Sequence, residues 1–234
     1  MIVGSIKEDL AIEKRVSITP ETAKNLIGLG LKVCIDQNYA SHLGIEDNIF
    51  KEIGVEIKGS TKEVLNMSDL IIKVNCPTDS EINDFKENTI LVGMFNPSKN
   101  KNQISKIIKK KIQIFSLELL PRITRAQSMD VLSSQSNLAG YRAVVDCVAE
   151  FEKAVPMMMT AAGTVPAAKV LVVGAGVAGL QAIATAKRLG AIVSATDVRA
   201  ASKEQVESLG GKFLTVKQDE DMETAGGYAK EASV

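Results

Sequence analysis

One histidine, His42, no tryptophan and three cysteines occur among the 234 residues. A zinc site built on imidazoles, or a nucleophile activated by histidine, therefore lacks its raw material. Cys34, Cys76 and Cys147 are odd in number and scattered, with no C-x-x-C pair. That usage points to free thiols in a reducing compartment and away from a disulfide framework. The chain has no charge excess either. Its 28 Lys+Arg balance 28 Asp+Glu, which argues against nucleic acid as the main partner. No apolar leader follows Met1, because Glu8, Asp9, Glu13 and Lys14 come too early. Aromatics make up only 4% of the chain, but apolar residues make up 45%, enough for one large or two modest cores.

The longest uncharged run, Val170 to Ala186, is shorter than the ~20 apolar residues of a membrane span. It contains Gln181 and three glycines, so it reads as something else. Lys169-Val-Leu-Val-Val173 is a β-branched strand, followed by Gly174-Ala-Gly176-Val177-Ala178-Gly179 and an Ala-rich helix to Gly190. Ala191 to Thr196 is a second strand, and Asp197 ends it at roughly the 20-residue spacing of the dinucleotide fingerprint. Gly174 permits the tight turn, Gly176 lets a pyrophosphate approach the backbone, and Gly179 lets the helix pack on the strand. The helix N-terminus faces the phosphates. Asp197 suits the adenosine ribose hydroxyls and repels a 2′-phosphate, so NAD is favoured over NADP. Arg199 blurs that preference, since a guanidinium pairs with phosphate or stacks on adenine.

Before this segment the chain alternates strands and helices. Expected strands cover Met1–Lys7, Leu31–Ile35, Val55–Ile57, Asp69–Val74, Thr89–Gly93 and Lys111–Ser116. Thr19-Pro20-Glu21 opens a helix, with Thr as N-cap and Pro in the first turn, and Gly28 and Gly30 close it. A second helix covers Glu46 to Ile53. The Lys-rich helix carrying Lys99, Lys101, Lys106, Lys109 and Lys110 has no interleaved aromatics and reads as a solvated face. The rhythm predicts an α/β fold of two Rossmann-like domains with mostly parallel sheets, the second one incomplete. Expected boundaries are 1–130 for an N-terminal α/β domain, 131–168 for a linking helix and turn, and 169–234 for the first half of a nucleotide-binding domain.

Pro121 to Tyr141 is polar and dense in hydrogen-bonding groups: Arg122, Arg125, Gln127, Asp130, Ser133, Ser134, Gln135, Ser136 and Asn137. It is either a helix-capping loop with an Arg–Asp pair or a contact surface for a flat polar ligand such as a carboxamide. A helix to about Lys153 is expected after it, burying Tyr141, Val144, Val145 and Val148. Met157-Met158-Met159 reads as core or interface filler, and Gly163 to Pro166 as a turn. A helix from Glu204 to Leu209 and a strand from Phe213 to Val216 complete the reading, before an acidic tail with Gly226-Gly227-Tyr228.

Taken together, these residues resemble the NAD(H)-binding component of proton-translocating NAD(P) transhydrogenase, along the whole chain. The likeness is strongest in PRITRAQSMDVLSSQSNLAGYRAV, AAGTVPAAKVLVVGAGVAGLQA and ATDVRAASKEQVESLGGKF. Arg15-Val-Ser-Ile-Thr-Pro20 is shared with the related alanine dehydrogenases. The resemblance implies that Arg122, Gln127, Asp130 and Ser133 lie beside the nicotinamide, with Ser128 and Met129 in the same loop. It implies that Val177 and Asp197-Val198-Arg199 hold the adenosine half, and that Gly227 and Tyr228 belong to a loop over the nucleotide. NADP(H) would sit on a partner component, with a membrane component coupling hydride transfer to proton movement. A homodimer, peripheral on the cytoplasmic face of the inner membrane, is expected. No side chain need act as proton donor or acceptor, and no metal is expected. The family's component is longer, so a truncated, non-catalytic fragment is one alternative. An alanine dehydrogenase is the other: Arg15 and Lys73 stand where that family binds its carboxylate substrate, but Gly93-Met-Phe-Asn-Pro97 has no counterpart to its histidine.

Overall fold

The computed structural model describes residues 1–121 and 123–215. The chain separates into two compact units, Met1–Asp130 and Val131–Val234. In the first, strands and helices alternate: β1 (Ile2–Ser5), α1 (Pro20–Gly28), β2 (Lys32–Asp36), α2 (Asp47–Glu52), β3 (Glu56–Lys58), α3 (Thr61–Met67), β4 (Leu70–Ile72), α4 (Asp79–Asp84), β5 (Ile90–Gly93), α5 (Lys101–Lys109) and β6 (Gln113–Ser116). All pairings are parallel, in the order β3-β2-β1-β4-β5-β6. That is the doubly wound order.

Period-two alternation divides the apolar residues between the two faces of this sheet. Val3, Val33 and Ile35 pack with Ala23 and Phe50 of α1 and α2. Cys34, Ile71 and Leu91 pack with Val64, Leu65, Ile82 and Ile107 of α3, α4 and α5. Tyr39 is buried beside Phe50, and its hydroxyl accepts from the N–H groups of Ser17 and Ile18, tying the β1–α1 loop to the sheet.

Helices α3 and α4 escaped the sequence reading because each is under two turns and buries at most two apolar residues. Their start signals were present all the same. Ser60 accepts from the Glu63 N–H, and Thr78 with Glu81 forms a reciprocal capping box, both S/T-x-x-E patterns.

The second unit contains α6 (Val131–Glu150), a hairpin of β7 (Met158–Thr160) and β8 (Gly163–Val165), then β9 (Lys169–Val173), α7 (Val177–Arg188), β10 (Ile192–Thr196), α8 (Ser202–Ser208) and β11 (Lys212–Phe213). Its parallel sheet has the order β11-β10-β9. Among the described residues β9 is paired on one edge only. One face, carrying Val170, Val172, Val193 and Ala195, is covered by Ala182, Ile183, Ala186 and Val206 of α7 and α8. On the opposite face Leu171, Val173 and Ile192 are 59%, 77% and 55% exposed, with no helix over them among the described residues.

The structure sharpens the reading of this region. The polar stretch Pro121–Tyr141 is divided between the 3-10 segment Thr124–Met129 and α6, which begins at Val131. Nothing between Asp130 and Gly140 breaks a helix, and its serines and asparagine cost little helix propensity. Tyr141 is half exposed rather than buried; Val144 and Val148 carry the packed stripe. Of the two readings of the methionine run, core is overturned, since Met159 is 79% exposed on the hairpin, while interface filler is left standing; Gly163–Val165 is a strand of that hairpin rather than a turn.

Helix α6 crosses α7 at Gly140. A Cβ there would lie 2.0 Å from the Ala178 carbonyl oxygen. A helical Gly→Ala change normally stabilises by roughly 0.5–1 kcal/mol. Gly140→Ala should reverse that sign and destabilise the second unit by about 1–3 kcal/mol through overpacking. Urea denaturation of the variant against the parent chain reads this; a gain in midpoint would show that the helices do not meet there.

Candidate functional site

The loop between β9 and α7 is built from backbone. Gly174 sits at φ +92°, a region L side chains avoid, and its N–H donates to the Thr196 carbonyl at 2.8 Å. A Cβ on Gly179 would lie 1.8 Å from the Gly174 carbonyl oxygen, so only hydrogen fits between helix and turn. Gly176 is different: a Cβ there would meet nothing closer than the Arg199 Nη2 at 3.9 Å. The protein itself does not require glycine at 176, so a group approaching the backbone is the remaining reason for it.

Gly176 is also the N-cap of α7 and contributes no side-chain cap. The first-turn N–H groups of Val177, Ala178 and Gly179 have no partner in their own helix, and the positive end of the helix dipole adds to them. Such a terminus is a ready anion site.

Asp197 follows β10 and reaches across to this turn. Its Oδ2 accepts from the Ala175 N–H at 2.7 Å and from Arg199 Nη2 at 2.9 Å. Its Oδ1 accepts from the Arg199 N–H at 2.8 Å and from Arg199 Nε at 2.9 Å. The Arg199 guanidinium, helped by the two backbone N–H groups and opposed by burial, holds the Asp197 carboxyl down to about 2. The carboxylate is thus ionised throughout the physiological range.

The structure therefore brings Gly174, Gly176, Gly179, Asp197 and Arg199 together around one turn, with Val177, Ala178 and Val198 flanking them. Ala175 was missed as a contributor, because a backbone donor leaves no mark on the side-chain pattern. Gln127, Ser128 and Met129 lie exposed in a 3-10 segment, Thr124–Met129, that ends at Asp130. Ser133 is half-buried in the first turn of α6. The first four belong to the first unit, and Ser133 and the glycine turn belong to the second. Arg122, Gly227 and Tyr228 lie outside the described residues.

The first unit has a comparable location, the switch point between β1 and β4, where open α/β sheets commonly take ligands. Here it is filled from within. Lys73 Nζ lies 3.1 Å from Glu8 Oε2 and 3.3 Å from Glu81 Oε1, and Glu8 also accepts from the Val74 N–H. Arg15 is paired with Glu13 at 2.6 Å. No group of three or more His, Cys, Asp or Glu side chains suited to a metal occurs among the described residues, and none of the described helices is long and apolar enough to cross a membrane.

Asp197 gives the second unit a defined acid response. A carboxyl that titrates below its ordinary value near 4 stabilises the fold above that value and loses the contribution as pH falls toward 2. Asp197→Asn should cost about 1–2 kcal/mol at pH 7, with most of that difference gone by pH 2. Thermal melts across that range read the convergence; parallel melting curves at all pH values would contradict the pairing.

Comparison with known proteins gives the family and the fold. Residues 4–139 match the family model for the alanine dehydrogenase/PNT N-terminal domain, and residues 143–233 match the corresponding C-terminal domain. An NAD(P) transhydrogenase subunit alpha polypeptide of Rhodospirillum rubrum is 54% identical over 239 residues, covering 99% of this chain and 62% of that protein. The structure of transhydrogenase from Sinorhizobium meliloti superposes with a TM-score of 0.88 at 49% identity, over 92% of this chain and 64% of that one. An L-alanine dehydrogenase shares the fold, with a TM-score of 0.80 at 22% identity, over 93% of this chain and 61% of that one. The chain thus spans about 62% of the length of the Rhodospirillum relative.

Proposed function

The chain belongs to the alanine dehydrogenase/PNT family, and on that premise we propose that it is the NAD(H)-binding component of a proton-translocating NAD(P) transhydrogenase. The observation that carries this reading is the Ala175–Asp197 hydrogen bond, which sets an ionised carboxylate beside the uncapped α7 terminus. Two ligand features are matched at once, a pyrophosphate at the helix end and a ribose diol at the acid. A 2′-phosphate would meet the Asp197 charge, which selects NAD(H) over NADP(H).

Bound NAD(H) supplies the hydride chemistry. The protein's task is positioning: C4 of this nicotinamide must come within roughly 3–3.5 Å of C4 of an NADP(H) held on a partner component. Gln127, Ser128, Met129, Asp130 and Ser133, with Arg122 and Gly227, are assigned to the nicotinamide end. No proton is transferred at this step, so a site without histidine suffices. Coupling to proton movement belongs to a membrane component, which makes this chain a peripheral subunit, a homodimer on the cytoplasmic face.

The alanine dehydrogenase reading is weaker. Amine oxidation through an imine needs a general acid–base. His42, the sequence's one histidine, is bound to the Lys14 carbonyl oxygen on a surface 3-10 turn. Lys73 is matched by Glu8 and Glu81.

Fluorescence titration with NADH, with NADPH as control, tests the proposal. Saturable binding, at least about tenfold tighter for NADH through Asp197, is expected. Selective binding of NADPH would sink it. Addition of the NADP(H)-carrying component then reads hydride transfer, and binding without turnover would assign the isolated chain a non-catalytic role. NADH oxidation by pyruvate and ammonia would favour the dehydrogenase instead.

A further inference from the structure

The acceptor capacity of Asp197 is already spent. A carboxylate offers about four lone-pair positions, and all four are taken: two by the backbone N–H groups of Ala175 and Arg199, two by Nε and Nη2 of the Arg199 side chain. The backbone pair is fixed by the fold. Only the guanidinium can leave. Its Nη2 stands 3.9 Å from the position of a Cβ on Gly176, in the groove over the glycine turn. Asp197 is 5% exposed and Arg199 18%, so the pair is substantially shielded from water.

We propose that Arg199 is a displaceable latch on the nucleotide site: its guanidinium fork occupies the two carboxylate positions that a ribose diol needs, and binding exchanges one for the other. The proposal rests on the dinucleotide reading given above. The exchange is two donors for two donors. The fork contributes two N–H groups on a planar frame, and a cis-diol contributes two O–H groups of similar span. An ordinary Arg–Asp pair on a surface only adds a little stability; this one competes directly with the ligand. The apparent affinity is then lowered by the fraction of molecules with the latch closed. The selectivity consequence follows. A ligand lacking one hydroxyl cannot repay both bonds, so 2′-deoxy and 2′-phosphorylated nucleotides open the latch at a loss.

The test uses the 234-residue chain with Arg199→Met, which keeps the aliphatic stem, and Arg199→Lys, which keeps the charge without the fork. NADH affinity is measured by fluorescence and binding rate by stopped flow, with circular dichroism confirming that each variant folds. Arg199→Met should tighten NADH binding by about 3- to 10-fold, the closed fraction being recovered. Its association rate constant should rise by the same factor, since the side chain opens faster than NADH arrives and only the open fraction accepts it. Arg199→Lys should fall between them. If the parent binds and Arg199→Met binds equally well or more weakly, the latch is overturned and the nucleotide reading stands. Weaker binding restored by Arg199→Lys would make Arg199 a direct ligand contact instead. If none of the three chains binds NADH, the nucleotide reading fails and the latch with it.

Discussion

Helix α7 begins where it does because two hydrogens stand in place of two methyl groups. Gly179 lies against the Gly174 carbonyl, and Gly140 of α6 lies against the Ala178 carbonyl. Interiors packed to crystal density leave no slack for a methyl at either point. From this double contact the rest of the second unit follows. The first-turn N–H groups point over the glycine loop, the loop brings the Ala175 N–H to Asp197, and β10 is held parallel to β9 in the register that ends at that acid. A small shift of α7 away from the strand would separate all of these together.

The parts of this arrangement that glycine and acid spacing specify were legible in the sequence. A strand, a turn that needs Gly174 and Gly179, a helix and Asp197 form one covalent run, and local chemistry dictates each step. The close approach of α6 to α7 at Gly140 left no such mark, because a single glycine inside a helix does not say which neighbour comes near it. Short helices α3 and α4 leave little trace because amphipathic periodicity needs more than two turns to register, whereas the Ser60 cap and the Thr78–Glu81 capping box need only four residues. The exposed Met157–Met159 run shows the limit of composition. Apolar residues are expected inside, but no pattern of a three-residue strand reveals which of its faces is covered.

The two units solve the same topological problem differently. Each places an acid at the end of the second strand of its βαβ unit, and each acid accepts the N–H of the residue two beyond the first strand: Asp36 from Lys7, Asp197 from Ala175. In the first unit Thr61 also donates to Asp36, burial raises its carboxyl above the usual range, and no glycine loop faces it. Its switch point is closed by Lys73 and its two glutamates. The second unit keeps an uncapped helix end and a low-lying carboxylate instead. One backbone plan thus yields two different acids: Asp36, buried with its Oδ1 lacking a hydrogen-bond partner, and Asp197, fully hydrogen-bonded beside a helix end that no side chain caps.

The exposed outer face of β9, and its pairing on one edge only among the described residues, carry a different implication. The free energy of a sheet that is complete in itself is a property of the chain alone. A strand with open ladder groups and Leu171, Val173 and Ile192 facing water instead makes the stability of its unit a function of the surrounding solution. Whatever lies down along β9 adds a mass-action term that grows with its concentration. The folded population of the second unit is in this sense a reading of whatever occupies that edge of β9.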